Sequence, residues 1–378
     1  MIFVADELLV QEEEQIIDHN LSKSQTFALL DKLLEHPYLS SSKTFKEKPI
    51  LEIKVLPGAK GQYDKALSQG DGSTRNFVYV LQREYACASP SLVELIGTDE
   101  ATTCIGLAIR NPESGLTSVG HLDCERYVAQ GVRQMVTSVR AHEDTLLQVH
   151  LVGGYDDTEI INKTETNSEM SESDQRPTCG GYSKPLALKL VEAFHCSSYK
   201  FCIQTMCILQ HNTGIASSGH TVPLVRGFVI QTRTGQIMPA KFDADARGPD
   251  GTIRHICLST ASTDGKDELR APYDTVLDRF VIAPCKWSLT WKFYALEVLR
   301  MSDAELLANC STSPYAESPD FLEDMRRTYA YLWQYPEWRH TFPRGEPRVF
   351  TRSVTGGWIR QSSGNRDDYM LDLSNESS

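Results

Sequence analysis

Nowhere does this chain approach the roughly 18 to 20 consecutive apolar residues that a membrane-spanning helix requires. Dense Lys/Arg clusters are missing too: 38 basic side chains stand against 50 acidic ones, a net charge of −12. Phosphate binding relies on such clusters, so neither nucleic acid nor an anionic membrane surface is an expected partner. The opening MIFVADELLVQEEEQ has no basic n-region and its apolar run is broken by acids, so it does not read as a signal peptide. Without such a leader, ten irregularly spaced cysteines argue for reduced thiols in the cytosol or nucleus rather than a disulfide framework.

Several catalytic signatures are also absent. There is no G-x-x-x-x-G-K-[ST], which removes a P-loop, and no G-x-S-x-G elbow. The H-x-E and P-C-x-x-C pair of zinc deaminases is missing, since His121 opens HLD and Cys285 continues CKW.

The patterning that is present describes an α+β chain. SKSQTFALLDKLLEHP spaces Phe27, Leu30, Leu33 and Leu34 as a helix does, and SSSKTFKEKPI reads as linker. In RNFVYVLQREYACA the alternation of Phe77, Tyr79 and Leu81 predicts a strand, and LLQVHLVGG a buried strand ended by its two glycines. Between them ERYVAQGVRQMVTSVRAHE places Val128, Val132, Met135, Val136 and Val139 on one helical stripe. Further strand-like runs (KFCIQTMCIL, LVRGFVIQTR, QIMPAKF, DRFVIAPC, PRVFTR) and helices (KPLALKLVEAF, LTWKFYALEVLR, SPDFLEDMRRTYAYLWQ) follow without regular alternation. That irregular order predicts a sandwich of mixed, largely antiparallel sheets covered by helices rather than a doubly wound fold.

Chemistry is suggested by GTDEATTCIGLAIRNPESGLTSVGHLD, residues 97–123, where His121 follows Cys104 by seventeen residues. Asn111-Pro112-Glu113-Ser114 suits a type I turn, with Gly115 closing it. A loop over 111–114 pairs Arg110 with Gly115 and sets Cys104 directly opposite His121. Opposed residues share a face with Cβ atoms roughly 4.5 to 5.5 Å apart, near enough for a thiol to meet an imidazole. Gly106 and Ala108 on that face leave room for a ligand or another chain. Thr98 or Thr103 is placed to orient the imidazole. A lone strand cysteine is more often a small buried hydrophobe, so it is the pairing that carries the reading.

QREYA (82–86), GTDEATTC (97–104), HLD (121–123), VHLVGGYDD (149–157) and STSPYAESPDF (311–321) occur here in one order. Together they resemble the eukaryotic protein N-terminal asparagine amidohydrolases, from about Phe77 to Trp358. YPEWRHTFPRGEPRVF (335–350) is similar to the longer, plant-type members. Bacterial chemoreceptor glutamine deamidases and cytotoxic necrotizing factor toxins look like distant relatives; in the former a Thr, Cys and His recur with the separations of Thr98, Cys104 and His121.

The resemblance implies hydrolysis of the side-chain amide of N-terminal asparagine to aspartate, with release of ammonia. Cys104 is then the nucleophile, His121 its base, Thr98 the group that orients His121, and no metal or organic cofactor is needed. Reading the substrate's α-ammonium calls for a carboxylate, for which Asp99, Glu100, Asp123 and Glu317 are candidates, with Thr103 a further contact. Proteins bearing N-terminal Asn are the implied partners, with a functional link to an arginyltransferase and an N-degron ubiquitin ligase in the cytoplasm or nucleus. Residues 1–70 read as a helical segment and linker, and 71–360 as the catalytic domain with an acidic insertion at 156–178. Residues 361–378 read as a polar tail. A non-catalytic N-terminal-residue binding module and a cysteine peptidase or transglutaminase-like enzyme are the alternatives.

Overall fold

A computed structural model describes residues 1–5, 7–9, 22–40, 43–55, 76–158, 181–261, 267–353 and 356–361. The acidic insertion from residue 159, the polar tail from 362 and the ALSQGDGST loop lie outside the described residues. Along the chain run β1 (Ile2–Val4), β2 (Glu7–Leu8), β3 (Leu51–Ile53), β4 (Phe77–Tyr79), β5 (Tyr85–Ala88) and β6 (Leu95–Thr98). The strands β7 (Ile105–Arg110) and β8 (Thr117–Leu122) come next, then the long β9 (Leu146–Tyr155) and β10 (Lys200–Leu209). A small hairpin, β11 (Thr213–Ile215) and β12 (Thr221–Pro223), precedes β13 (Phe228–Gln231) and β14 (Ile237–Phe242).

Seven of these strands form a mixed sheet in the order β2-β1-β10-β9-β7-β8-β5, and five a second in the order β3-β14-β13-β6-β4. Four late strands between Tyr273 and Arg360 make a separate antiparallel sheet. The architecture is α+β, with mostly antiparallel neighbours. No helix among the described residues is long and apolar enough to cross a membrane.

The sheets sandwich because β7 is buried on both faces. Ile105, Leu107 and Ile109 join one apolar cluster with Val128, Val132 and Met135 of the helix Val128–Ser138 and Leu186 and Leu190 of the helix Ser183–His195. Burying each of these large β7 side chains stabilises by about 1.5–3 kcal/mol. The opposite face meets the second sheet, where Ala108 and Val119 pack in one cluster with Ile96, Phe228 and Ile230. A Cβ on Gly106 would stand 2.6 Å from a ring carbon of Phe228 and 3.1 Å from the Thr98 methyl. The small-residue face therefore receives the second sheet rather than holding open space for a ligand.

Four expectations need correction. The 105–122 hairpin pairs Gly106, not Cys104, with His121, because its loop spans 111–116 and Arg110 faces Thr117. Asn111 accepts from the backbone of Glu113 (3.0 Å) and Ser114 (3.4 Å), and its own N–H bonds Leu116, so the loop closes two residues later than a four-residue turn. RNFVYVLQREYACA is not one strand: β4 belongs to the second sheet and β5 to the first, divided by a turn at Leu81–Glu84. The strand at LLQVHLVGG does not stop at its glycines but continues to Tyr155. Finally, Cys257 and Cys285 are disulfide-bonded, while Cys87, Cys104, Cys124, Cys207 and Cys310 are free thiols. The fold brings these two together from the helix Gly251–Ala261 and the segment after Ile282, a juxtaposition their 28-residue separation does not advertise.

Residues at the start of the chain enter the main sheet directly. Ile2–Val4 runs parallel to Phe201–Ile203 of β10, and the helix Lys23–Glu35 buries Leu30 and Leu33 in the helix-side cluster.

Candidate active site

His121 lies in β8, held through its backbone by the turn before β5. The Arg83 N–H donates to His121 O (2.9 Å), and the His121 N–H donates to Glu84 O (3.0 Å). That turn is pinned by a buried ion pair: Arg254 Nε donates to Glu84 (3.1 Å), and Glu84 accepts from the Leu81 N–H (3.2 Å). From the second sheet, Thr98 reaches across to share a 2.8 Å hydrogen bond between its Oγ1 and His121 Nδ1. The other ring nitrogen, Nε2, is buried and has no hydrogen-bond partner among the described residues. Burial holds the imidazole down at about 4, with the nearby His255 adding to the effect. The ring is therefore neutral at physiological pH, with one nitrogen committed and one open.

Cys104 sits one residue before β7, in a bend rather than within the strand. It precedes the strand end at which Gly106 pairs with His121. The side chain is half-buried and free. Protein packed around it pushes the thiol well above its ordinary value; Asp123 and Glu317 add to the rise, and Arg83 opposes it.

The bend is buttressed by the segment after the helix Asp303–Cys310. Ser313 Oγ donates to Thr102 Oγ1 (2.8 Å), the Thr103 and Thr312 hydroxyls bond each other (2.8 Å), and Ser183 Oγ donates to Thr103 O (3.2 Å). The same segment carries Glu317, whose Oε1 accepts from Ser313 (3.2 Å) and Ser311. Burial raises the Glu317 carboxyl above its usual range, with the two serine hydroxyls opposing.

The structure separates the predicted site residues into those that converge and those that do not. Thr98 bonds His121, whereas Thr103 bonds Thr312 and also acts on the Cys104 thiol, opposing its rise. Asp99 turns into the second sheet, accepting from Tyr79 (3.0 Å), the Phe242 N–H (2.8 Å) and Arg247 (3.2 Å), so its oxygens are occupied away from the thiol. Glu100 pairs with Arg247 (2.9 Å) and accepts from Ser318 (2.7 Å). Asp123 takes Arg83 Nε on both oxygens (2.9 and 2.8 Å) and Gln82 (2.8 Å). Glu317 carries no cation within ion-pair distance among the described residues.

Sequence reasoning missed Arg83, Thr312 and Ser313, although QREYA and STSP contain them. A cavity of about 420 Å³ opens at the Arg83 turn, lined by Arg83, Glu84, Arg254, Cys257 and Cys285. Neither Cys104 nor His121 lines it, so its size does not mark the site of the thiol chemistry.

Thr98→Val tests the orienting bond. It keeps the side-chain shape but leaves Nδ1 without a partner. We expect kcat for a hydrolysed substrate to fall about tenfold with KM little changed, the worth of one lost hydrogen bond. Unchanged steady-state kinetics would remove the role.

A family model described as protein N-terminal asparagine amidohydrolase matches residues 68–360. The chain is 43% identical to the Arabidopsis thaliana protein N-terminal asparagine amidohydrolase, over 89% of this chain and 94% of that relative. It is 28% identical to the Sus scrofa protein of the same name over 77% of this chain and 85% of the relative. Similarity to the Homo sapiens protein, also of that name, is 28% over 76% and 85% respectively.

Proposed function

The chain belongs to the protein N-terminal asparagine amidohydrolase family, and from that premise we propose that it hydrolyses the side-chain amide of N-terminal asparagine to aspartate and ammonia. The observation that carries the mechanism is His121, tied to Thr98 at one ring nitrogen and open at the other beside the Cys104 bend.

In this reading His121 Nδ1–H donates to Thr98, which leaves Nε2 as the base. Nε2 takes the thiol proton as Cys104 attacks the carboxamide carbon. A resting ion pair is not involved, because burial favours both neutral forms. Backbone N–H groups near Thr103 and Cys104 stabilise the tetrahedral oxyanion. The imidazolium then protonates the departing amine, releasing ammonia and leaving a thioester. Water, deprotonated by the same nitrogen, cleaves it to aspartate, and the proton returns to the sulfur.

Glu317 reads the α-ammonium in this account. It sits near enough to Cys104 to raise the thiol, and a cation would satisfy a carboxylate that burial leaves under-compensated. Acetylating the substrate's amine removes the charge and strands the acid. A charge-assisted hydrogen bond is worth about 1.5 to 3 kcal/mol, and the desolvated acid adds to that. Ammonia release from four peptides is the test: free Asn, acetylated Asn, internal Asn and free Gln. We expect acetylation to lower kcat/KM at least about a hundredfold, at 1.4 kcal/mol per factor of ten. Internal Asn should fail likewise, and Gln should bind but place its carbon badly. Equal rates for free and acetylated Asn would make this a general amidase.

The pH profile follows from the same groups. As pH drops towards 4, His121 gains a proton and ceases to be a base, so kcat/KM falls there. On the alkaline side the substrate amine loses its charge near 7.7–8.0, and recognition weakens. The expected profile is a bell lacking any limb between about pH 5.5 and 7, the interval around unperturbed histidine near 6.5. A limb in that interval would contradict the neutral pair.

The product, an N-terminal aspartate, is a residue that an arginyltransferase can modify, which would feed an N-degron ubiquitin ligase in the cytoplasm or nucleus.

A further inference from the structure

The Cys257–Cys285 disulfide is out of keeping with the chemistry beside it. The proposed mechanism needs Cys104 reduced, so the enzyme works where thiols are kept reduced. Disulfides that form in such a setting are usually transient, catalytic or redox-sensing rather than structural. This one is also placed to act. Both its cysteines line the cavity of about 420 Å³ at the Arg83 turn, together with Arg254 and Glu84.

Cys257 and Arg254 belong to the helix Gly251–Ala261, three residues apart and therefore neighbours on one face. The buried Arg254 guanidinium donates to both Glu84 carboxylate oxygens and to the Tyr79 carbonyl (3.0 Å). It also donates to the carbonyls of Arg247 (3.3 Å), Gly248 (3.2 Å) and Pro249 (3.4 Å), which fasten it to the start of its own helix. Glu84 in turn accepts the His121 N–H on its main-chain oxygen (3.0 Å), and the Arg83 N–H beside it donates to His121 O (2.9 Å). A continuous line of covalent and hydrogen bonds thus runs from Cys285 through Cys257, Arg254 and Glu84 to the main chain of His121. The sulfur pair is the element on that line with two discrete states, bonded and unbonded.

We infer that Cys257 and Cys285 form a redox switch on amide hydrolysis: the disulfide holds His121 in place for the Cys104 thiol, and the dithiol form releases it. This rests on the reading of His121 as the base. A dithiol reductant drives the step. One of its thiolates attacks Cys285 Sγ, the more exposed sulfur (8% against 1% for the residue), and expels the Cys257 thiolate, which takes up a proton. The reductant's second thiol, losing its proton, then displaces the Cys285 thiolate, which is protonated in turn, and closes the reductant's own disulfide. Two electrons and two protons have passed to the protein. The sulfurs can no longer stay at bonding distance, so the helix parts from the segment after Ile282 in an interior packed too closely to absorb the movement. Arg254 carries it to the Glu84 turn, and displacing a catalytic group by about 1 Å can cost about 10²-fold.

The test is a dithiothreitol series on the full chain purified in air. Alkylation and mass spectrometry give the fraction of Cys257 and Cys285 present as thiols, and ammonia release from an Asn-initiated peptide gives kcat and KM. We expect full reduction to lower kcat at least about tenfold with KM within about twofold, because substrate contacts are untouched while the base is displaced. Along the series kcat should fall in proportion to the fraction reduced, with circular dichroism showing a folded chain at the assay temperature. A double variant, Cys257→Ala with Cys285→Ala, should match the reduced enzyme and ignore dithiothreitol. An unchanged kcat in enzyme whose pair is fully alkylated, a loss carried by KM, a further loss when the double variant is reduced, or a pair never found as a disulfide would each overturn the switch. Failure of the underlying reading looks different: the enzyme would release no ammonia in either state.

Discussion

Cys104→Ala and Cys104→Ser should each lower ammonia release from an Asn-initiated peptide by at least about 10⁴-fold, the scale on which losing a nucleophile from a concerted set is felt. The serine variant is the sharper of the two. A hydroxyl beside a neutral imidazole is a far weaker nucleophile than a thiol, so restoring a similar shape should restore nothing. Cys104 is half-buried in a bend held by Ser313, Thr312 and Ser183 contacts that neither substitution touches, so thermal unfolding should remain close to wild type. Alkylation of Cys104 should abolish turnover in step with modification. A binding module would behave otherwise, with both variants still retaining Asn-initiated peptides and wild type showing no turnover. Near-normal activity in either variant would remove covalent catalysis.

His121→Asn should be nearly as damaging. Proton transfer by a positioned base contributes about 10²- to 10⁴-fold, and the amide can still face Thr98 but cannot accept the thiol proton. Combined with Cys104→Ala it should cost little more than Cys104→Ala alone, because sulfur and imidazole act as one unit. The check is a four-way comparison of kcat/KM among wild type, both single variants and the double. A His121→Asn enzyme within tenfold of wild type, or a double variant showing the full product of the single losses, would mean that the imidazole does not serve this thiol.

Much of the site was legible because local chemistry set it. NPES announced a reversal, and strand parity then fixed which face His121 would take. The register was not legible: Asn111 takes two backbone N–H groups and lengthens the loop to 111–116. That difference of two positions puts Cys104 just outside the strand and sets Gly106 opposite His121. Periodicity failed at RNFVYVLQREYA for a different reason. Arg83 adopts φ +56°, and the turn there sends β4 and β5 to different sheets, a long-range outcome that alternation cannot report. The acids show the same limit. Asp99 is next to Thr98 in sequence, but its oxygens are taken by Arg247, Tyr79 and Phe242, while the distant Glu317 is among the charges that raise the thiol. Ser313 and Thr312 were visible as a motif but not as a buttress, since their partners lie more than two hundred residues away.

Mass spectrometry of an Asn-initiated peptide, incubated with wild type and with Cys104→Ala, tests the central claim most directly. The account predicts a gain of about one dalton, the amide-to-acid exchange, localised by fragmentation to residue one and produced only by the enzyme that retains its thiol. No mass change with wild type, or the same change with Cys104→Ala, would contradict it.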